Sequence, residues 1–227
     1  MGERRGLWLL LSSSLVYEAF HHLIGARAWL RRFTREAIRA GAGDRVLDVG
    51  CGPGALLHYL PKSTSYIGFD RSKVYIERAR RMHGGRGEFI CDDLANLAAY
   101  GIHSVDVAVA IGILHHLDDR LASDLLRATA NILRPGGRLI TVDPCFDESQ
   151  SFLQRAFMSY DRGTYVRPFG RYVALCCAAI GRPRATLKQG YFPFPHSVCM
   201  MEAARAPVQD LAAVRPRNLR APHPAAP

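Results

Sequence analysis

The sequence predicts an α/β protein built on a parallel β-sheet with helices on both faces. Three observations predict it. Apolar runs able to form strands start at Arg45 and again near Ser65, Gly87, Ser104 and Gly137. Helical patterns over Gly54–Leu60, Ser72–Met82 and Ala122–Leu133 lie between them, and a glycine-rich turn follows the first strand at once. Parallel neighbours need long crossovers, usually helical, so strand–helix–strand repetition argues for a sheet buried on both faces. Such sheets bind ligands at the carboxyl ends of their strands, where strand order reverses. Chemistry is therefore sought in the residues just after each strand.

Taken in order, the chain opens with Arg4 and Arg5 before the apolar run Gly6–Val16, with Ala26-Arg27-Ala28 further on, an arrangement that imitates a secretion signal. Glu18, His21, His22 and Arg27 interrupt it, and the run is shorter than the ~20 residues of a membrane span. A buried or capping helix is expected instead. Val16, Phe20, Leu23, Trp29, Leu30, Phe33 and Ile38 recur at helical spacing, with Gly25 as the break. Residues 1–43 are thus read as an N-terminal helical cap, closed by the turn Gly41–Asp44. After Asp143 the pattern changes: residues 150–180 look helical, interrupted at Asp161-Arg162-Gly163. The apolar runs Arg184–Gly190 and Ser197–Glu202 fit antiparallel strands that close the sheet. The expected organisation is a main domain over 44–203 with a helical insert at 146–182, then a basic, Ala/Pro-rich disordered tail over 204–227.

Composition narrows the class. The 227 residues suit one decorated domain, and 48% hydrophobic with 22% charged residues excludes a mainly disordered chain. The formal charge of +10 is spread over scattered arginines with no run of five like charges, so a nucleic-acid partner is not expected. The six cysteines form no C-x-x-C pair and Cys176–Cys177 are adjacent, so they read as reduced thiols of a cytoplasmic protein with no metal site. A homodimer stays open.

The strongest motif is Val46-Leu-Asp-Val-Gly-Cys-Gly-Pro-Gly54. A strand ends at Val49, glycines at alternate positions allow a tight turn against a ligand, and Pro53 suits the start of a helix whose amides could hold an anion. The spacing is G-x-G-x-G rather than the dinucleotide G-x-G-x-x-G, and Asp48 lies inside the strand. Tyr66–Asp70 is a second strand ending in an acid that could accept from both ribose hydroxyls or cap the next helix. Glu88–Leu94 ends in the paired acids Asp92 and Asp93, Val105–Leu117 runs into Leu114-His-His-Leu117, and Leu133-Arg-Pro-Gly-Gly-Arg-Leu-Ile140 reads as helix end, turn and fifth strand.

In this order the motifs resemble the class I S-adenosylmethionine (SAM)-dependent methyltransferases, bacterial small-molecule type, whose core residues 44–143 match. The resemblance implies a doubly wound, Rossmann-like sheet of seven strands with an antiparallel last strand. It also implies that Asp48, Gly50, Cys51, Gly52 and Gly54 surround the methionine part of SAM, with Asp70 on the ribose and Arg71 beside the adenine. Asp93, preferred to Asp92, and the Leu94 amide would meet the adenine, and Ile111 the methionine amine. SAM would be the cofactor, S-adenosylhomocysteine the product, and no metal is implied.

Methyl transfer from a sulfonium is an in-line displacement, so the main task is alignment. A hydroxyl acceptor usually needs a base, and His115, His116 and Asp143 are the candidates; the two histidines could equally shape the pocket floor and cap a helix. Acceptor-side candidates are Tyr17, His21, His22, Tyr160, Asp161, Arg162, Tyr165, Arg167, Tyr191 and His196. Cys145, after the fifth strand, is set aside as a nucleophile because no second Pro-Cys follows the fourth. The expected function is methyl transfer to an O or N atom of a small molecule. A nicotinamide-dependent oxidoreductase and a non-catalytic SAM-binding partner are the alternatives.

Overall fold

The computed structural model describes residues 26–151, 155, 164–190 and 197–206. Helix α1 (Ala26–Phe33) runs into a wide π-type turn (Thr34–Ile38), then strand β1 (Arg45–Val49). Strands β2 (Ser65–Asp70), β3 (Glu88–Cys91) and β4 (Val105–Ile111) follow, with helix α2 (Lys73–His83) between β2 and β3. Helix α3 (Asp119–Ile132) leads into the long strand β5 (Leu133–Phe146). The short strand β6 (Arg167–Pro168), helix α4 (Phe169–Ala179) and strands β7 (Arg184–Gln189) and β8 (Ser197–Ala204) complete the described chain.

The main sheet has the order β3-β2-β1-β4-β5-β8-β7, with β6 paired to the end of β5 off that path. Strands β1 to β5 are parallel and β8 is antiparallel to both neighbours. The expected seven-stranded sheet with an antiparallel last strand is thus the main path, and β6 is an addition. Strand order reverses between β1 and β4, which puts a crevice at their carboxyl ends.

Both faces are covered, as alternation along the central strands requires. Ala108 and Ala110 of β4 face a cluster with Leu125 and Leu126 of α3 and Tyr172 and Leu175 of α4. Val107 and Val109 face the opposite cluster, with Phe33 of α1 and Ile76 and Ala79 of α2. The Arg138 guanidinium on β5 donates to Ile38 O (2.8 Å) and Glu202 Oε1 (2.9 Å), tying the N-terminal turn to β8.

Several boundaries differ from those read in the sequence. The Gly54–Leu60 stretch is a 3-10 turn (Ala55–Tyr59). Helix α3 begins three residues before the expected Ala122, because Asp118 caps it through Leu121 N (2.8 Å). Strand β5 is already extended at Leu133, which pairs with Val105 across a bulge before Arg138 pairs with Val107. Strand β8 reaches Ala204, so the start of the expected tail belongs to the sheet. Arg205 N donates to Gly137 O (2.9 Å) and Gly136 N to Arg205 O (3.0 Å), extending that edge. The 1–25 part of the cap, residues 152–154 and 156–163 of the insert, and the tail beyond Ala206 lie outside the described residues.

Candidate functional site

The loop after β1 is folded back onto the end of β2. Gly50 N and Cys51 N both donate to Phe69 O (2.7 and 3.1 Å), and Gly54 N donates to Cys51 O (3.0 Å). Gly52 N donates to Asp70 Oδ2 (2.9 Å), while Ser72 N donates to Asp70 Oδ1 (2.8 Å). Asp70 is half-buried at the tip of β2, so each carboxylate oxygen keeps a lone pair for a ligand. Four loop amides are therefore taken internally. The sequence suggested an anion cradle at this turn; these amides cannot supply one.

Gly50 and Gly52 both have positive φ (74° and 53°), but for different surroundings. A Cβ on Gly50 would lie 2.0 Å from Ile113 Cδ1, whereas one on Gly52 would meet no atom within 4 Å. Gly52 faces open space beside Asp70, and Gly50 is roofed by the loop after β4.

Beneath the loop, Asp48 is buried and accepts a hydrogen bond from Tyr66 Oη at 2.7 Å. Burial pushes its carboxyl up to about 7 against the effect of that bond, and the nearby Asp70 charge adds to the rise. Burial likewise drives the Cys51 thiol and the Tyr66 hydroxyl well above their usual values. Sequence reading missed Tyr66; the signal was its diagonal position to Asp48 once β1 and β2 pair in parallel register, Asp48 opposite Gly68.

After β3 the two acids separate by role. Asp92 accepts from Asp93 N (2.7 Å), Asn96 Nδ2 (2.9 Å) and Tyr100 Oη (2.7 Å), and the Tyr100 and Asn96 bonds hold it below the usual carboxylate range. Asp93 spends only Oδ1, on Ala95 N at 2.9 Å, capping the short turn that begins at Leu94. Arg71 is exposed beside Asp70, and Ile111 is half-buried at the end of β4.

The ends of β4 and β5 carry the other polar pair. His115 N and Nδ1 lie 3.1 and 2.9 Å from Asp143 Oδ1, with His115 and Asp143 6% and 1% exposed. Asp143 Oδ2 is buried with no protein partner. His116 is exposed, its ring 4.0 Å from that of His115. Cys145 is buried, and desolvation pushes its thiol up to about 12, the opposite of what a nucleophile needs.

The acceptor-side residues fare differently. Tyr17, His21, His22, Tyr160, Asp161, Arg162, Tyr191 and His196 lie outside the described residues. Tyr165 is exposed. Arg167 is not: it is buried, and its guanidinium is taken up by Asp119 and by backbone carbonyls. Its donors are committed inside the protein, which removes it from a pocket wall.

Residues 46–137 match a family described as a methyltransferase domain. That stretch carries the chain's likeness to the class I SAM-dependent methyltransferases. An O-methyltransferase of Aspergillus sclerotiorum is 34% identical over 125 residues, 51% of this chain and 47% of that one. The 27-O-demethylrifamycin SV methyltransferase of Amycolatopsis mediterranei is 35% identical over 108 residues, 45% of this chain and 39% of that one. Among solved structures, a mitomycin 7-O-methyltransferase superposes with a TM-score of 0.65 at 23% identity, covering 88% of this chain and 60% of the other. The chain spans less than half the length of the curated relatives it matches. Among its described residues no helix is long and apolar enough to cross a membrane.

Proposed function

We propose that this methyltransferase moves a methyl group from SAM to an oxygen or nitrogen of a small-molecule acceptor, with a hydroxyl favoured. The observation that carries the reading is the lock between Asp70 and the glycine loop. The residues fit the group: Asp70 keeps lone pairs for two vicinal hydroxyls, Asp93 keeps Oδ2 free of the bond to Ala95 N, and Gly52 opens onto space. The loop amides of Gly50, Cys51, Gly52 and Gly54 are spent, which suits a cationic ligand and disfavours the pyrophosphate of a dinucleotide. Asp48, Gly50, Cys51, Gly52 and Gly54 would surround the methionine part, with Asp70 on the ribose, Arg71, Asp93 and Leu94 at the adenine, and Ile111 near the amine.

When bound, SAM supplies an electrophilic methyl group on a positively charged sulfur. The chain's own share is alignment and proton handling. His115 Nδ1 donates to Asp143 Oδ1, which fixes the tautomer and leaves Nε2 with the lone pair. Nε2 would take the proton of an acceptor hydroxyl, and Asp143 would steady the resulting imidazolium. His115 lies in the turn just after β4, and Asp143 lies near the carboxyl end of the neighbouring strand β5. The O-methyltransferase relatives point the same way, and the unbridged cysteines suit a cytoplasmic setting.

Calorimetric titration with SAM, S-adenosylhomocysteine and NAD tests the donor. Binding of the first two and not of NAD supports the reading, and binding of NAD alone overturns it. A screen of phenols against amines, with His115→Asn alongside, then tests the acceptor atom. Loss of phenol methylation with retained SAM affinity is the expected result.

A further inference from the structure

The turn that carries His115 is held from outside by a segment fifty residues later in the chain, and one side chain does most of the holding. Arg167 Nη1 donates to Leu114 O (2.7 Å) and Tyr165 O (3.0 Å), Nη2 donates to Leu117 O (2.6 Å), and Nε donates to Asp119 Oδ1 (2.7 Å). Tyr165 N donates to His115 O at 3.0 Å. The carbonyls of Leu114, His115 and Leu117 are thus all taken by residues 165–167. The guanidinium also lies over the Tyr172 ring, 5.5 Å from its centre, and Tyr172 Oη donates to Pro144 O at 3.1 Å. Through β6 the same residue pairs with Cys145, two positions after Asp143.

We propose that Arg167 is a positioning residue for the His115–Asp143 pair. It touches neither partner. It fixes the backbone on both sides of His115 while its own backbone is pinned to the strand that carries Asp143, so the two halves of the pair are registered against each other. A planar fork is required: one guanidinium reaches three carbonyls and a carboxylate at once, which a lysine ammonium cannot match in direction. The bland reading is a buried cation that merely satisfies carbonyls. It does not account for the arrangement as well, because the carbonyls held are those of Leu114, just before His115, and of Leu117, which closes the turn Leu114–His116. The inference rests on the proton-handling role given to His115, but its test does not need an acceptor.

The test is the tautomer of His115, read from long-range proton–nitrogen NMR spectra of histidine-labelled protein. Wild type should show the Nδ1–H form alone. Arg167→Met should give a mixture of forms, and Arg167→Lys a smaller departure in the same direction. SAM affinity, measured by calorimetry on the same samples, should stay within about twofold, since no SAM-facing group is altered. Asp143→Asn serves as the reference for a lost partner. If Arg167→Met fails to fold, Arg167→Lys decides alone. A folded Arg167→Lys or Arg167→Met protein with the wild-type tautomer would overturn the proposal. With an acceptor in hand, kcat should fall roughly ten- to hundredfold with KM for SAM unchanged. Failure of SAM to bind wild type would sink the functional reading instead and leave the tautomer result standing.

Discussion

Replacing Gly50 and Gly52 by alanine separates two glycines that look equivalent in the motif. Both have positive φ, which costs an alanine roughly 1–2 kcal/mol. At Gly52 nothing else is added, because no atom lies within 4 Å of the new Cβ. At Gly50 the Cβ would sit 2.0 Å from Ile113 Cδ1 and 2.7 Å from Cγ1. The Ile113 side chain is half-buried against the core, so it must leave its rotamer, adding about 0.5–1.5 kcal/mol. Gly50→Ala should therefore cost roughly 1.5–3.5 kcal/mol against about 1–2 for Gly52→Ala. The diagnostic is a double-mutant cycle by urea unfolding. In an Ile113→Ala background the cost of Gly50→Ala should drop to that of Gly52→Ala, a coupling of about 1 kcal/mol. Absence of coupling, with Gly50→Ala equally costly in both backgrounds, would show that the roof over Gly50 is not made by Ile113.

Three further expectations follow from single contacts. Asp70→Ala removes the partner of Gly52 N and Ser72 N together with the proposed ribose acceptor, and SAM affinity by calorimetry should fall at least tenfold, about 1.4 kcal/mol; a folded variant with unchanged affinity would mean that Asp70 does not face the ligand. Asp48 is raised from 3.8 to about 7, so it contributes stability that is present in acid and lost as pH rises through about 7. Asp48→Asn should accordingly gain on wild type progressively from about pH 4 to 7, levelling above that at no more than the order of 4 kcal/mol, and parallel unfolding curves at pH 5, 6, 7 and 8 would contradict the burial argument. Ending the chain after Ala206 should leave SAM affinity and the unfolding midpoint alone. Ending it after Ala204 removes the Arg205 bonds to Gly136, Gly137, Asn131 and Leu133 and should cost about 1–2 kcal/mol; equal midpoints for the two truncations would refute this.

What could be read in advance was local. Strands β1 to β4 are short apolar runs bounded by glycine or polar turns, and parallel burial on both faces makes such runs continuous, so their positions were plain. Asp70 was legible because it ends a strand just beyond the glycine loop. The start of α3 was not, since its first turn, Asp119-Arg120-Leu121, shows no apolar periodicity and only the Asp118 cap marks it. Tyr66 and Arg167 were out of reach or misassigned for a different reason. Their partners, Asp48 and the Leu114–Leu117 carbonyls, lie 18 and about 50 residues away, and nothing in their own neighbourhood encodes the pairing. Arg167 was read as an acceptor-side candidate, yet backbone carbonyls, invisible in a sequence, claim its guanidinium.

The charge balance around the glycine loop explains why motif spacing carries chemical meaning here. A loop that binds pyrophosphate must keep its amides free and its floor neutral or positive. This loop does the reverse: its amides close onto Phe69 O, Cys51 O and Asp70, and the acid Asp48 lies buried beneath it. Asp48 near pH 7 is poised between its two forms, with burial favouring the neutral one and Tyr66 favouring the charged one. A ligand bearing positive charge nearby would tip that balance toward the carboxylate, because an opposite charge favours the ionised form. Binding such a ligand would then release a proton, and binding its uncharged counterpart would not. SAM carries the sulfonium charge that S-adenosylhomocysteine lacks, so the same buried acid that weakens the free protein above pH 7 would favour the donor over the spent product.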